Sequence, residues 1–287
     1  MMTAKRSALL VVNPSRSEAV EAAAQLAKLL IAANFELFTT SDVEISGVAN
    51  TSADALPKVE VAVVLGGDGT ILRGAELTRD RNIPLLGINI GHVGFMAEVI
   101  RPEISAVAKS VIDKSYALDS RMVLAYEVIR GGNIISKGWA LNEVTVERQH
   151  TTMVELFVQI DGRPLSRWGC DGLIASTPTG STAYAFSAGG PVLWPEVEAL
   201  VLLPISAHAL FARPMVISPK SEIVVEIQSN EALLSADALR KFPLVAGDQV
   251  RIIRDSSKIL LSHIVATTFT DRIVAKFKLP VEGWRGE

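Results

Sequence analysis

The sequence predicts an α/β N-terminal domain with a parallel, Rossmann-like sheet, followed by an all-β sandwich C-terminal domain. Three observations support this. Up to about residue 115, short apolar runs alternate with segments whose apolar residues recur at helical spacing. Beyond about residue 120 the apolar residues alternate one by one, the mark of strands with a single buried face. Turn-forming clusters then recur, at Gly131-Gly132-Asn133, Asp161-Gly162-Arg163-Pro164 and Ala246-Gly247-Asp248.

Ala8–Val12 is the first strand. Ser17 is placed to cap a helix whose apolar positions are Val20, Ala23, Ala24, Ala27, Leu30 and Ile31. Phe35–Phe38 reads as a second strand, and the polar stretch through Asp54 carries no clear pattern. Val59–Leu65 is the third strand, Ile71–Thr78 a helix, Pro84–Ile90 another apolar run, and Glu103–Ile112 a further helix. Strand, loop and helix in repetition imply a parallel sheet with ligands at the carboxyl ends of its strands. In the second region Val154, Leu156, Val158 and Ile160 alternate with polar neighbours, as do Ile223, Val225 and Ile227. The expected boundaries are 1–118 for the α/β domain, 119–266 for the sandwich, and a 267–287 tail whose Phe269–Lys278 stretch returns to the first domain.

Length and composition narrow the class. At 287 residues the chain accommodates two ordinary domains, and 49% hydrophobic with 21% charged residues describes a globular protein. A formal charge of −3 argues against a nucleic-acid partner. The single cysteine, Cys170, forms no intrachain disulfide and reads as a small apolar strand residue, which fits a reducing cytoplasm. Ser7–Val12 is stopped by Asn13-Pro14 and does not read as a signal peptide; the uncharged stretch Ala199–Ala212 falls short of the ~20 residues of a membrane span. A cytoplasmic enzyme with no membrane partner is the expectation.

Three segments carry chemistry. Leu65-Gly66-Gly67-Asp68-Gly69-Thr70 follows a buried strand, so glycines bring backbone N–H groups close to an anion. A bare anion cradle gains nothing from Asp68, but phosphoryl transfer needs a base or a metal-linked carboxylate there. Cys170–Pro191 runs from a strand (Gly172–Ser176) into a loop crowded with small hydroxyls, with Tyr184 offering a ring to a base. Leu141-Asn142-Glu143-Val144 sets an amide beside a carboxylate, a pair able to bind sugar hydroxyls. Each has a plainer reading: a tight turn, a strand edge, or a run of turns in which Thr182 and Ser187 satisfy backbone groups locally.

Taken in order, these motifs resemble the NAD kinase family. The Gly-Gly-Asp-Gly-Thr element is shared with diacylglycerol-type and phosphofructokinase-type kinases, whereas Asp171–Tyr184 is highly specific. Lys137–Glu143, Ala207–Pro214 and Gly283-Trp284-Arg285-Gly286 look like the actinobacterial branch. The resemblance implies transfer of a phosphoryl group from ATP, or polyphosphate, to the 2′-hydroxyl of the adenosine ribose of NAD, giving NADP. It implies Asp68 as the activator of that hydroxyl, as general base or through a metal ion, and Gly69, Thr70 and Arg73 beside phosphates. Asn142, Glu143, Asp171, Thr179, Thr182, Ala183, Tyr184 and Ser187 would enclose NAD. A divalent metal (Mg or Mn) would accompany ATP, and the assembly would be a homodimer or homotetramer.

Two departures stand out. Asn13-Pro14-Ser15-Arg16 replaces the histidine-threonine-glycine type of segment of related branches. Ser235-Ala236-Asp237-Ala238-Leu239 stands where the family has Asp-Gly-Gln or Asp-Gly-Arg. Losing a glycine able to take positive φ predicts a differently shaped loop with no binding role. Among the singletons, His92 lies in a glycine-rich loop suited to binding and His208 in an uncharged run suited to packing. Trp139, Trp168, Trp194 and Trp284 read as core or interface anchors, and no Cys/His cluster suggests zinc. Two rival readings are a lipid or sphingoid-base kinase, which would want an apolar channel, and a non-catalytic NAD(P)-sensing module, which would not favour Asp68.

Overall fold

In the structure, a computed structural model that describes residues 5–90, 94, 96, 103–229, 231–264 and 268–281, β1 (Arg6–Val12) is buried from Ala8 onward. It lies between two parallel neighbours, which is why its side chains are apolar on both faces. α1 (Ser17–Ala32) buries Ala19, Ala23, Leu26, Ala27 and Leu30, one stripe at helical spacing. Ser17 is its first helical residue rather than its cap; Arg16 takes the extended cap position and makes no side-chain capping bond. β2 (Phe35–Thr39) is followed by β3 (Val48–Asn50), a three-residue strand with two exposed residues, too short to carry a periodicity. β4 (Val61–Leu65) is buried at every residue, each such Val or Leu contributing roughly 1.5–3 kcal/mol. α2 (Asp68–Thr78) begins at the aspartate itself, three residues before the apolar pattern shows, because Gly67 takes the extended cap conformation. β5 (Leu85–Ile88) and α3 (Ile104–Asp113) follow.

The order across this parallel sheet is β3-β2-β1-β4-β5. From β1 the chain moves outward to β2 and β3, then returns to the other side of β1 for β4 and β5. The carboxyl ends of β1 and β4 therefore form the topological switch point, where open α/β sheets bind ligands. Val12 and Leu65, the last residues of both strands, are directly paired.

β6 (Ala117–Arg130) opens the antiparallel part, followed by β7 (Asn133–Ala140), β8 (Glu143–Arg148), β9 (Val154–Ile160), β10 (Arg163–Cys170) and β11 (Gly172–Ser176). After a 3-10 turn at Gly180–Thr182 and the short helix α4 (Tyr184–Ser187) come β12 (Leu200–Ile205), β13 (Met215–Ile217), β14 (Ile223–Ile227), β15 (Glu231–Ala236), β16 (Arg240–Val245) and β17 (Gln249–His263). One antiparallel sheet runs β13-β12-β11-β8-β15-β16; the other runs β10-β9-β14-β17, with β6 pairing β17 and β7. Their inner faces share one core, in which Leu124, Val144, Leu156, Trp168, Leu202 and Leu234 pack together. This is the predicted sandwich.

The chain divides into two compact units, the described residues of 1–120 with 259–287, and 121–258. β17 thus begins in the second unit and ends in the first, where Leu261 pairs in parallel with Leu85. α5 (Phe269–Phe277) belongs to the first unit and starts with a capping box between Thr268 and Asp271. Among the described residues no helix is long and apolar enough to cross a membrane.

Candidate functional site

In the first unit, β4 delivers the chain to Gly66-Gly67, and α2 starts at once. Its first turn is held by the Thr70 and Ile71 N–H groups donating to the Gly67 carbonyl at 2.8 and 3.2 Å. Asp68 is half-buried at this helix N-terminus, and the Met96 N–H donates to its Oδ1 at 3.3 Å. Gly94 packs so tightly on the Asp68 carboxylate that a Cβ there would overlap it. A Cβ on Gly66 would meet the Thr70 side chain, which is buried and braces the turn. Gly67 and Gly69 differ: a Cβ on either meets nothing within 4 Å. Among the described residues these glycines answer no packing demand, and the open space above them suits an anion. Arg73, one turn along α2, is exposed and lines a cavity of about 280 Å³ with Pro14, Ser41, Asp42 and Leu77. Arg16, from the divergent segment after β1, donates to the Ile90 carbonyl at 2.8 Å.

In the second unit, Asn142 and Glu143 join β7 to β8 and are 6% and 7% exposed. Asn142 Oδ1 and Glu143 Oε2 are buried with no hydrogen-bond partner. Such atoms cost free energy until something binds them. Burial, and next the Asp237 charge, push the Glu143 carboxyl up to about 8, so it is held largely neutral near pH 7. The segment is gripped through its carbonyls: Thr177 Oγ1 donates to Leu141 O at 2.6 Å, and the Thr177 N–H and Ser176 Oγ donate to Asn142 O at 2.8 and 3.1 Å. Gly180 presses on the same carbonyl; a Cβ there would overlap it and stand 2.6 Å from Ser176 Oγ.

The hydroxyl-rich loop therefore spends much of its chemistry on itself. Ser181 Oγ donates to Pro178 O at 2.7 Å, and Thr182 Oγ1 to Thr179 O at 3.2 Å. Thr182 thus follows the local reading. Thr179 is buried and accepts from Arg121 at 3.4 Å, a buried arginine that sequence reasoning missed. Ser187 is exposed at the end of α4. Tyr184 and Asp171 line one cavity of about 680 Å³ with Glu147, Arg148 and His150. There Tyr184 donates to Glu147 Oε2 at 3.1 Å, and Arg148 pairs with Asp171 at 2.7 Å.

Ser235–Leu239 spans the end of β15 and its turn to β16. Asp237 and Ala238 take φ of 52° and 56°, so the turn is left-handed without a glycine. The Asp237 side chain is buried and accepts from the N–H groups of Leu141 and Asn142 at 2.7 Å each and of Glu143 at 3.3 Å. Arg240 lies 3.7 Å from it and stacks on Trp139 at 4.0 Å. Trp168 is a core residue, whereas Trp194 is exposed. Cys170 is buried and its thiol pushed up to about 11, chiefly by desolvation, so it is inert. His208 bridges to Gly169 through its backbone. His92 and Trp284 lie outside the described residues.

Residues 8–116 match the family model described as "ATP-NAD kinase N-terminal domain", and residues 141–264 the one described as "ATP-NAD kinase C-terminal domain". The chain is 44% identical to an NAD kinase of Mycobacterium bovis over 307 aligned residues, covering 100% of both. It is 48% identical to one of Thermobifida fusca over 246 residues, covering 83% of this chain and 76% of that one. Among solved structures, yeast NADH kinase complexed with NADH superposes with a TM-score of 0.89 at 23% identity, covering 100% of this chain and 91% of that one. An NAD kinase from Archaeoglobus fulgidus in complex with ATP gives 0.71 at 25% identity, covering 96% and 100%.

Proposed function

We infer the reaction from the family: the chain belongs to the ATP-NAD kinases, and it transfers a phosphoryl group from ATP to NAD, giving NADP. The residue roles are our reading. Asp68 activates the 2′-hydroxyl of the adenosine ribose of NAD. The observation that carries this role is a carboxylate on the first turn of α2, at the sheet's switch point, beside two glycines with open space above them. A carboxylate there weakens plain anion binding, and it serves a reaction that must take a proton from an alcohol. Gly69, Thr70 and Arg73 hold donor phosphates. Asn142 and Glu143 bind the dinucleotide's sugar hydroxyls, and Asp171, Thr179, Ala183, Tyr184 and Ser187 complete its enclosure.

A divalent ion fits as a companion of ATP rather than as a resident of the protein. Among the described residues no group of three or more His, Cys, Asp or Glu could cage a metal, whereas Mg²⁺ is commonly bound by substrate phosphates with one or two carboxylates. Bound that way, the ion neutralises phosphate charge, and Asp68 is the carboxylate of this site that would face it. Polyphosphate fits as a second donor, since the roles of Gly69, Thr70 and Arg73 are toward phosphates rather than toward a base. A homodimer or homotetramer is consistent with the exposed Leu210, Phe211 and Val216, and a cytoplasmic location with the lone buried Cys170.

The test is a coupled assay of the purified protein with NAD, ATP and Mg²⁺, reporting NADP. We expect Asp68→Asn to cut turnover at least ~100-fold, the scale of lost general-base catalysis, with NAD still binding. Near-normal turnover by that variant would remove Asp68 from the chemistry. NAD binding without NADP formation by the wild type would favour the sensing module.

A further inference from the structure

We propose that Asp237 is the positioning residue of the acceptor subsite: its carboxylate clamps the Leu141–Glu143 backbone so that Asn142 and Glu143 present their unpartnered oxygens to NAD. The proposal rests on the reading of Asn142 and Glu143 as NAD-binding residues.

Three observations support it. The carboxylate gathers three consecutive backbone N–H groups, from Leu141, Asn142 and Glu143, at 2.7, 2.7 and 3.3 Å. Consecutive amides converging on one anion form a nest, which fixes the local backbone shape more tightly than isolated bonds do. The carbonyls of Leu141 and Asn142 are taken from the other side by Ser176 and Thr177, so both sides of the segment are held. A backbone return from the Asp237 N–H to Glu143 O at 3.1 Å closes the loop of contacts.

The cost of the arrangement argues for its use. Asp237 and Ala238 take the left-handed conformation that a tight hairpin turn asks of its two central residues, closed by the Leu239 N–H donating to Ala236 O at 3.0 Å, and the Asp237 carboxylate is buried there. Burial raises the Asp237 carboxyl to about 6, and the three N–H groups oppose that rise by favouring the charge. The charge in turn sits beside Glu143, whose carboxyl is already buried. A turn serving only to connect β15 to β16 would account for the two left-handed residues but would not need a buried carboxylate. The segment it braces ends in Asn142 Oδ1 and Glu143 Oε2, two buried oxygens awaiting a partner.

Asp237→Asn keeps the shape and removes the charge. One amide oxygen cannot hold three N–H groups, and its NH₂ opposes them. The expected result is a rise in KM and Kd for NAD of about tenfold or more, the loss of one well-made hydrogen bond, with KM for ATP within about twofold. A merely structural role would lower the fraction of active enzyme and hence kcat, leaving both KM values alone. That outcome overturns the proposal, as does an unchanged NAD Kd. If Asp237→Asn does not fold, amide exchange on the wild-type protein decides. The Leu141 and Asn142 N–H groups should be protected as well as those of the β8–β11 ladder without NAD, and exchange typical of an open loop refutes the clamp. NAD binding by calorimetry and amide exchange do not require turnover, so a wild type that makes no NADP would sink the kinase reading and leave this one to be judged separately.

Discussion

Gly69→Ala separates a glycine kept for the fold from one kept for a ligand, because the two effects have opposite signs. Gly69 lies inside the first turn of α2, and a Cβ there meets nothing within 4 Å. Alanine in such a position lowers the conformational freedom of the unfolded chain, so the variant should be more stable by about 0.4–1 kcal/mol. For a chain of this size that raises Tm by about 1–4 °C. The function should move the other way. An anion oxygen held about 2.9 Å from the backbone nitrogen would come within roughly 3 Å of the new methyl, inside ordinary contact. Losing one hydrogen bond to a charged group costs about 1.5–3 kcal/mol, so KM for ATP should rise roughly 10- to 100-fold. Thermal denaturation and the NADP-coupled assay, run on the same preparation, measure both. A higher Tm with unchanged KM for ATP would show that no phosphate approaches Gly69. A lower Tm would show that the glycine serves the helix.

Gly180→Ala should act on the other substrate. The added Cβ overlaps the Asn142 carbonyl, a backbone atom that cannot swing aside, so stability should fall by about 1–3 kcal/mol and NAD affinity should drop while KM for ATP holds. Unchanged NAD affinity, measured by calorimetry, would disconnect that loop from the acceptor subsite. Glu143→Gln tests the buried carboxyl through pH. Because burial raises its folded pKa from 4.5 to about 8, its full stability is present below pH 4.5 and is lost as pH rises toward 8, where the folded protein too must ionise it. The glutamine variant carries no such charge, so its Tm advantage over wild type should grow between pH 5 and 8 and then level off. A difference independent of pH would place the Glu143 carboxylate in a solvated setting.

The α/β half was legible wherever a strand is buried on both faces. β1 and β4 are continuous apolar runs because parallel neighbours and helices cover them, and such runs can be read without a partner. β3 was not legible, since three residues with two exposed carry no alternation; its pairing with β2 rather than its composition makes it a strand. The start of α2 was hidden for a related reason. Apolar periodicity begins at Ile71, but Asp68, Gly69 and Thr70 are helical because Gly67 can adopt the cap conformation and because the first turn of a helix need not be apolar.

The site divides along the same line. Asp68, Asn142 and Glu143 were legible because their chemistry is costly without a ligand: a carboxylate beside an anion cradle, or an amide and a carboxyl side by side. The hydroxyl-rich loop was legible as a place but not in its assignments. Thr182 and Ser181 donate within their own loop, while Ser176 and Thr177 donate to the carbonyls of residues 141–142, and a sequence cannot say whether a hydroxyl faces a ligand, a carbonyl three residues away or one on a distant strand end. At Asp237 the argument ran through glycine, yet the turn is left-handed without one. The tight hairpin itself asks for two left-handed residues, and contacts distant in sequence add to it: the three N–H groups of residues 141–143 bonded to the Asp237 carboxylate. Local conformational preference amounts to about 1 kcal/mol at such a position, and three charge-assisted hydrogen bonds in a buried setting exceed it. A glycine is therefore sufficient for a left-handed turn, but where a buried carboxylate is anchored this firmly it is not necessary.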